Sequence, residues 1–180
     1  NPHGLNEDFF KTLCDSGVNR ISLGLQSAVD SERRVLGRLS DRNQVENAVK
    51  AAQRVGFENI TLDVMLGIPN QTEKSLNETL DFCISLGVPH ISAYMLKIEE
   101  GTHFYKNYDK YDFPDEETTI EFYNQCADAL EKAGFNHYEI SNFALNNKES
   151  KHNLTYWNNE EYYGFGVGAS GYIKNIRYTN

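Results

Sequence analysis

Residues 17–25 read GVNRISLGL, and the same form returns as GFENITLDV at 56–64, GVPHISAYM at 87–95 and GFNHYEISN at 134–142. Each segment opens with a glycine that follows an amphipathic run, at 6–16, 43–55, 73–86 and 115–133. Glycine directly after a helix takes up the left-handed conformation that ends the helix. Thr72 and Asp115 stand where N-caps would, each followed by acidic residues that suit a helix N-terminus. The β-branched and aromatic residues that come next alternate as strands do. Repeated helix–glycine–strand units predict βα units around a parallel sheet.

The predicted strands are apolar on one side only. Counted from each glycine, positions +4 and +6 are apolar or aromatic, whereas positions +5 and +7 are almost all polar or small. A parallel sheet covered by helices on both faces is apolar on both. The pattern therefore predicts an α/β fold with helices outside and a polar concave face inside, a βα barrel or part of one. An open sheet with one wet face is the alternative.

Composition narrows the class of protein. The 180 residues are 39% hydrophobic and 24% charged, typical of a globular domain. The formal net charge of −9 argues against a nucleic-acid partner, because phosphate contacts need clustered Lys and Arg. The one basic group, Arg33, Arg34, Arg38 and Arg42, is interpreted as the solvated face of a helix. No apolar run approaches the roughly 20 residues of a transmembrane helix.

The three cysteines predict no metal site within the chain. Cys14, Cys83 and Cys126 lie far apart and have neither zinc nor redox spacing. Each falls in an apolar helical pattern, which indicates buried free thiols in a reducing compartment. We therefore expect a cytoplasmic protein.

Candidate binding residues lie at the carboxyl ends of the predicted strands, where βα barrels carry their sites. Asp63 is the most informative, because a carboxylate between Leu62 and Val64 is costly unless it is solvated, hydrogen-bonded or paired. It either binds a ligand group such as a ribose or an ammonium, or pairs with an arginine from a neighbouring loop. Gln26 follows the first strand and is by itself weak evidence of a binding site, since an amide at a strand end often only holds a loop in place.

Seven blocks, in order, resemble one known family: NRISLGLQS, LGRLSDRNQ, NITLDVMLGIPNQT, HISAYMLKIEEGTHFY, HYEISNFA, KHNLTYW and YYGFGVGASGY. They are similar to the oxygen-independent coproporphyrinogen III oxidase-like radical S-adenosylmethionine (SAM) enzymes. The resemblance is strongest to the haem-chaperone branch, which carries an HNxxYW motif like residues 152–157. It implies a partial βα barrel of radical SAM type.

The resemblance also implies roles for particular residues. Gln26, Arg38 and Asp63 match positions that contact SAM, and the backbone at Leu96 and Lys97 matches the strand end near the adenine. The family's CxxxCxxC loop, which holds a [4Fe–4S] cluster, does not occur in these 180 residues. The cluster cysteines are expected upstream, and the chain in this form is not expected to perform radical chemistry. Residues 1–143 are interpreted as the C-terminal part of the barrel, and 144–180 as the start of a C-terminal extension that carries HNLTYW.

Function then divides into three hypotheses. In the first the chain is part of a haem chaperone that binds SAM and haem and passes haem to other proteins, with His152 as the candidate haem ligand. The second is a radical SAM coproporphyrinogen III oxidase that converts propionates to vinyl groups. The third is a small-molecule-binding βα domain of unrelated chemistry. A hydrogen-bonded structural histidine is the other interpretation of His152.

Overall fold

The computed structural model describes residue 2 and residues 4–180. In this part of the chain the helices are α1 (Glu7–Asp15), α2 (Asp30–Val35), α3 (Arg42–Arg54), α4 (Glu73–Ser85), α5 (His103–Lys106), α6 (Glu116–Lys132) and α7 (Lys151–Trp157). The strands are β1 (Arg20–Gln26), β2 (Asn59–Leu66), β3 (His90–Met95), β4 (Asn136–Glu139), β5 (Asn142–Ala144), β6 (Ser170–Ile173) and β7 (Ile176–Thr179). A single 3-10 turn spans Tyr108–Lys110.

The larger sheet has the strand order β1-β2-β3-β5-β4. β1, β2 and β3 are parallel neighbours, as the repeated sequence form predicts. The fourth unit differs, because β5 lies between β3 and β4 and is antiparallel to both. The α/β fold is confirmed, and the expectation of a sheet parallel throughout is wrong at this edge.

The difference at the fourth unit comes from a tight hairpin. Only Ile140 and Ser141 separate β4 from β5, so the chain reverses at once and β5 pairs with β3. All three residues of β5 are buried. A three-residue strand is too short to show an alternating pattern, and its partner β3 is far away in sequence.

The predicted helix signals are confirmed. Thr72 and Asp115 are N-caps that accept hydrogen bonds from the backbone N–H of Ser75 and Thr118. The glycines after these helices have positive φ, 65° at Gly87 and 90° at Gly134. These caps fix where each helix ends and each strand begins.

The hydrophobic core lies between one face of the sheet and the helices α1, α3, α4 and α6. It combines strand residues such as Leu23, Leu62 and Ile91 with helix residues such as Val49 and Leu80. Side chains of the opposite pleat, among them Ser22, Asp63 and Ser92, stay outside this core. The sheet therefore has one apolar face and one polar face.

The chain divides into two compact units, Asn1–Lys148 and Glu149–Asn180. The first holds the larger sheet and the helices α1 to α6, and the second holds α7 and the β6–β7 hairpin. The division falls five residues after the boundary proposed from the sequence, because β5 and the turn after it belong to the first unit. None of the helices in the described residues is long and apolar enough to cross a membrane.

Candidate functional site

The polar face of the sheet carries a row of side chains that crosses its strands. Gly24 on β1 pairs with Asp63 on β2, Asp63 with Ser92 on β3, Ser92 with Asn142 on β5, and Asn142 with Glu139 on β4. Residues paired in this way point to the same side of a pleated sheet, with the strands about 4.8 Å apart. The row therefore places two carboxyl groups and three small or amide-bearing residues along one line.

Asp63 lies within this row, partly withdrawn from water. The Ser22 hydroxyl donates to its two carboxylate oxygens, at 2.9 and 3.0 Å. Burial raises the pKa of Asp63 above its usual range, and the Ser22 hydrogen bond, the neighbouring Ser92 hydroxyl and the charge of Arg38 offset this rise only in part. No ion pair within 4 Å neutralises this carboxylate among the described residues. A ligand with a cationic or hydroxyl group would offset its cost of burial.

Gln26 ends β1 in a conformation that is unusual for a residue with a side chain. Its φ is 69°, and the pairing of β1 with β2 is irregular between Gly24 and Gln26. A Cβ on Gly24 would stand 2.8 Å from Nε2 of Gln26, so the amide folds back over Gly24. Because Gly24 pairs with Asp63, this backbone conformation brings the Gln26 amide to the edge where Asp63 lies.

Arg38 approaches the same edge from the loop between α2 and α3. It is exposed, and its charge lowers the pKa of Asp63. Its backbone N–H donates to the carbonyl oxygen of Arg33 at 2.9 Å. Gln26 and Arg38 thus lie on the side of the sheet that carries Asp63, and the contact of these three residues with SAM, which the resemblance implies, stays a prediction.

Arg33 holds the loop in place. Its guanidinium is 1% exposed and donates to the carbonyl oxygens of Ser27 and Ser40 and to the Asp30 carboxylate. The interpretation of the arginine group as a solvated helix face is therefore wrong for Arg33. Arginine is usually a surface residue because of its charge. Here two carbonyl oxygens and one carboxylate accept hydrogen bonds from the guanidinium and offset the cost of burying that charge.

Leu96 and Lys97 follow β3 at the carboxyl edge of the sheet. The Leu96 N–H donates to the carbonyl oxygen of Leu66 at 2.7 Å, which continues the β2–β3 ladder past the end of β3. The Lys97 side chain is exposed and pairs with Glu99 at 2.7 Å. The backbone at these two residues lies where the second and third strands end.

The three cysteines differ in burial. Cys83 and Cys126 are buried, and burial raises the pKa of both thiols, that of Cys126 to about 12. Cys14 is exposed, so its predicted burial is wrong; it lies on the outer side of α1. In the part of the chain that is described, no three His, Cys, Asp or Glu side chains are grouped as metal ligands.

His152 lies on α7 in the second unit and is exposed. Its Nε2 shares a hydrogen bond of 2.6 Å with the Tyr156 hydroxyl, and the two rings meet edge to face with centroids 4.7 Å apart. Tyr156 in turn packs against Tyr162 at 4.6 Å. Trp157, at the end of the same helix, is 54% exposed. An imidazole beside exposed aromatic rings suits a flat aromatic ligand.

Sequence reasoning missed the connection from Asp63 to Glu139. Glu139 occupies a polar position of the fourth segment, GFNHYEISN, and Asn142 is the last residue of that segment. Their alignment with Asp63 depends on β5 pairing with β3, which no local pattern predicts. The alternation of polar residues in all four strands was the available signal.

Comparison with known proteins places the chain. Residues 1–83 match the Radical SAM superfamily. Two proteins named "Heme chaperone HemW", from Lactococcus lactis and Bacillus subtilis, are each 42% identical to the chain over 182 positions, covering 100% of it and 48% of the relative. A Danio rerio protein named "Radical S-adenosyl methionine domain-containing protein 1, mitochondrial" is 36% identical over 95% of the chain and 39% of its own length. The chain spans about half the length of the first two relatives.

A solved structure has the same fold. The radical SAM coproporphyrinogen III oxidase of Escherichia coli superposes with a TM-score of 0.79 over 94% of this chain and 42% of that protein, at 19% identity. The agreement supports the partial-barrel architecture and, at this identity, no shared activity. The relatives at 42% identity confirm the family resemblance described from the sequence blocks.

Proposed function

We propose that this chain, whose residues 1–83 match the Radical SAM superfamily, supplies part of the SAM-binding surface and a haem-contacting segment of a haem chaperone. The identity of 42% over the full chain to proteins with the printed name heme chaperone carries the haem part. The convergence of Asp63, Gln26 and Arg38 at one sheet edge carries the SAM part.

The chemistry of SAM fits this edge. SAM carries ribose hydroxyls, an ammonium group, a sulfonium and a carboxylate. Asp63 would bind hydroxyl or ammonium protons, Arg38 would pair with the carboxylate, and the Gln26 amide can donate or accept. Backbone groups of Leu96 and Lys97 would border the adenine.

The [4Fe–4S] cluster of the superfamily does not fit the residues of this chain. Three closely spaced thiolates are needed, whereas Cys83 and Cys126 are buried, protonated thiols in separate helices and Cys14 is exposed on a third. Neither SAM cleavage nor decarboxylation of a porphyrinogen is therefore assigned to these 180 residues.

The haem part of the proposal concerns α7. His152 would ligate the iron, and Tyr156 or Trp157 would lie against the porphyrin. A haem-accepting protein would be the further partner, as the word chaperone in the relatives' names suggests, and a cytoplasmic location belongs to the same proposal.

A haem titration followed by absorbance tests the haem part. The chain offers a matched control, since His103 is also exposed and its Nε2 shares a 2.9 Å hydrogen bond with a tyrosine hydroxyl, that of Tyr111. We expect saturable one-to-one binding that weakens at least about tenfold in His152→Ala, the loss of about 1.4 kcal/mol or more, and is unchanged in His103→Ala. Equal weakening in both variants, or binding by none, would overturn the assignment of His152.

Calorimetric titration with SAM tests the other part. Binding by the wild-type chain and its loss in Asp63→Asn, with the Lys97→Gln variant unaffected because only the backbone at residue 97 is involved, is the expected pattern. Binding that survives in Asp63→Asn would remove Asp63 from the proposed site.

A further inference from the structure

The polar row ends in Asn142 and Glu139. Neither residue belongs to the proposed SAM or haem site. Ser92 and Asn142 are 3% and 4% exposed, so their hydrogen-bonding groups are satisfied within the protein. The Ser92 hydroxyl and Asn142 Oδ1 are 2.6 Å apart, and Asn142 Nδ2 donates to Oε1 of Glu139. The row is therefore a continuous chain of hydrogen bonds that leads towards Asp63.

The direction of each hydrogen bond in this row follows from the Glu139 carboxylate at its end. A carboxylate can only accept, so Asn142 must turn its NH₂ group towards Glu139. The carbonyl oxygen of the amide then faces Ser92 and accepts the hydroxyl proton. Because a hydroxyl has a single proton, Ser92 cannot give Asp63 a full hydrogen bond while it donates to Asn142, and this limits how far the Ser92 hydroxyl lowers the pKa of Asp63.

The unionised Asp63 carboxyl suits what Ser92 then presents. Asp63 pairs directly with Ser92 across β2 and β3, and a Ser92 oxygen whose proton is engaged offers Asp63 only lone pairs. Lone pairs accept a hydrogen bond from a carboxylic acid and repel a carboxylate. We propose that Glu139 is a positioning residue that acts through Asn142 and Ser92 to favour the protonated form of Asp63.

Other groups face Asp63 from the surrounding elements. Ser22 on β1 donates to both carboxylate oxygens, and Arg38 on the α2–α3 loop attracts the ionised form. His90 lies two residues before Ser92 on β3, on the same side of the sheet. It is neutral, since burial lowers its pKa to about 3. Ser22 and Arg38 favour the ionised form of Asp63, whereas Glu139 opposes it, because Asn142, held by Glu139, engages the Ser92 proton.

The consequence for ligand binding rests on the proposed function. A cationic ligand such as SAM binds the ionised form of Asp63 more tightly, so its binding at a pH where Asp63 is protonated would release a proton. Affinity for SAM would then rise with pH through the titration of Asp63, and removing the Glu139 charge would move that rise to lower pH.

Carbon-13 NMR of aspartate Cγ, titrated from acid to alkaline pH on the full 180-residue chain without ligand, tests the proposal. Asp63→Asn assigns the signal. In Glu139→Gln the amide of Asn142 is free to reverse and Ser92 to donate to Asp63, so we expect the midpoint to fall by about 0.5 to 1 pH unit, the size of one net hydrogen bond. Glu99→Gln removes an exposed carboxylate outside the row and should leave the midpoint unchanged.

A double-mutant cycle separates the row from simple charge repulsion. If Glu139 acts through Ser92, its replacement should change the Asp63 midpoint by less than half as much in a Ser92→Ala background. An equal fall in both backgrounds, or no fall in Glu139→Gln, would overturn the proposal. Thermal unfolding confirms that each variant is folded. The NMR measurement needs no ligand, so a negative result in it does not bear on the SAM and haem titrations. A negative result in those titrations likewise does not bear on the role of Glu139.

Discussion

At the scale of single residues, the Gln26–Gly24 contact offers a way to perturb binding without unfolding the sheet. A Cβ at Gly24 would meet only the far end of the Gln26 side chain, at 2.8 Å, which can move. Gly24→Ala should therefore cost little stability, or add about 0.5 kcal/mol, because alanine lowers the conformational entropy of the unfolded chain. The same change should displace the Gln26 amide and weaken SAM binding.

Calorimetry and thermal unfolding of Gly24→Ala check this together. Gly87→Ala is the reciprocal control, because Gly87 has φ 65° and open space around it. It should lower stability by about 1 kcal/mol and leave SAM affinity as it is. A Gly24→Ala variant with unchanged affinity would show that the position of the Gln26 amide does not matter.

Asp63 makes a second residue-scale prediction, on pH. Its folded-state pKa is raised mainly by burial, so the fold prefers the neutral carboxyl. This contribution to stability is fully present below the unfolded pKa and is lost as pH rises through the folded pKa. Near neutral pH, Asp63→Asn should therefore stabilise the chain, by on the order of 1 kcal/mol, although it abolishes SAM binding. Urea unfolding at several pH values measures the difference, which should shrink towards acid pH; destabilisation by Asp63→Asn would contradict it.

At the scale of elements, the sequence predicts whatever is local. The N-caps Thr72 and Asp115, the glycines after α4 and α6 and the alternating faces of β1 to β3 are all written in short windows, and each is confirmed. The pairing of β5 is not local, because it depends on β3, which is far away in sequence. The partners of Arg33 are near in sequence, but they are the backbone carbonyls of Ser27 and Ser40, and a pattern of side chains does not show which way a backbone carbonyl points.

The short helix α2 gives the element-scale prediction. It has six residues and no side-chain N-cap, and the buried Arg33 ties it to the backbone of Ser27 before it and of Ser40 after it. Arg33→Met leaves buried carbonyl oxygens without donors and should cost about 3 kcal/mol, with weaker SAM binding because Arg38 loses its anchor. Arg34→Met, on the exposed side of the same helix, should stay within about 0.5 kcal/mol. Chemical denaturation of both variants decides, and similar stabilities would mean that Arg33 does not anchor the loop.

At the scale of the whole molecule, the two compact units differ in what holds them. The first unit has a core that unites four helices with the larger sheet. Between residues 149 and 180, all of which are described, Gly171 is the only buried residue, while Tyr163, Phe165 and Val167 are largely exposed. A segment of 32 residues with so little burial gains little from the hydrophobic effect.

Hydrogen exchange should therefore divide the chain at Lys148. Amides of β6 and β7 should exchange about a hundredfold or more faster than those of β2, because local opening of a segment with few buried contacts costs much less than global unfolding. Mass spectrometry of the exchanging chain measures both regions at once, and equal protection would mean that the second unit opens only with the first. Haem added in excess should slow exchange in α7, since a ligand that binds only the folded form stabilises it by mass action. The same addition to His152→Ala should leave α7 as fast as before, which ties the stabilisation to the imidazole and not to haem adsorbed on exposed aromatic rings.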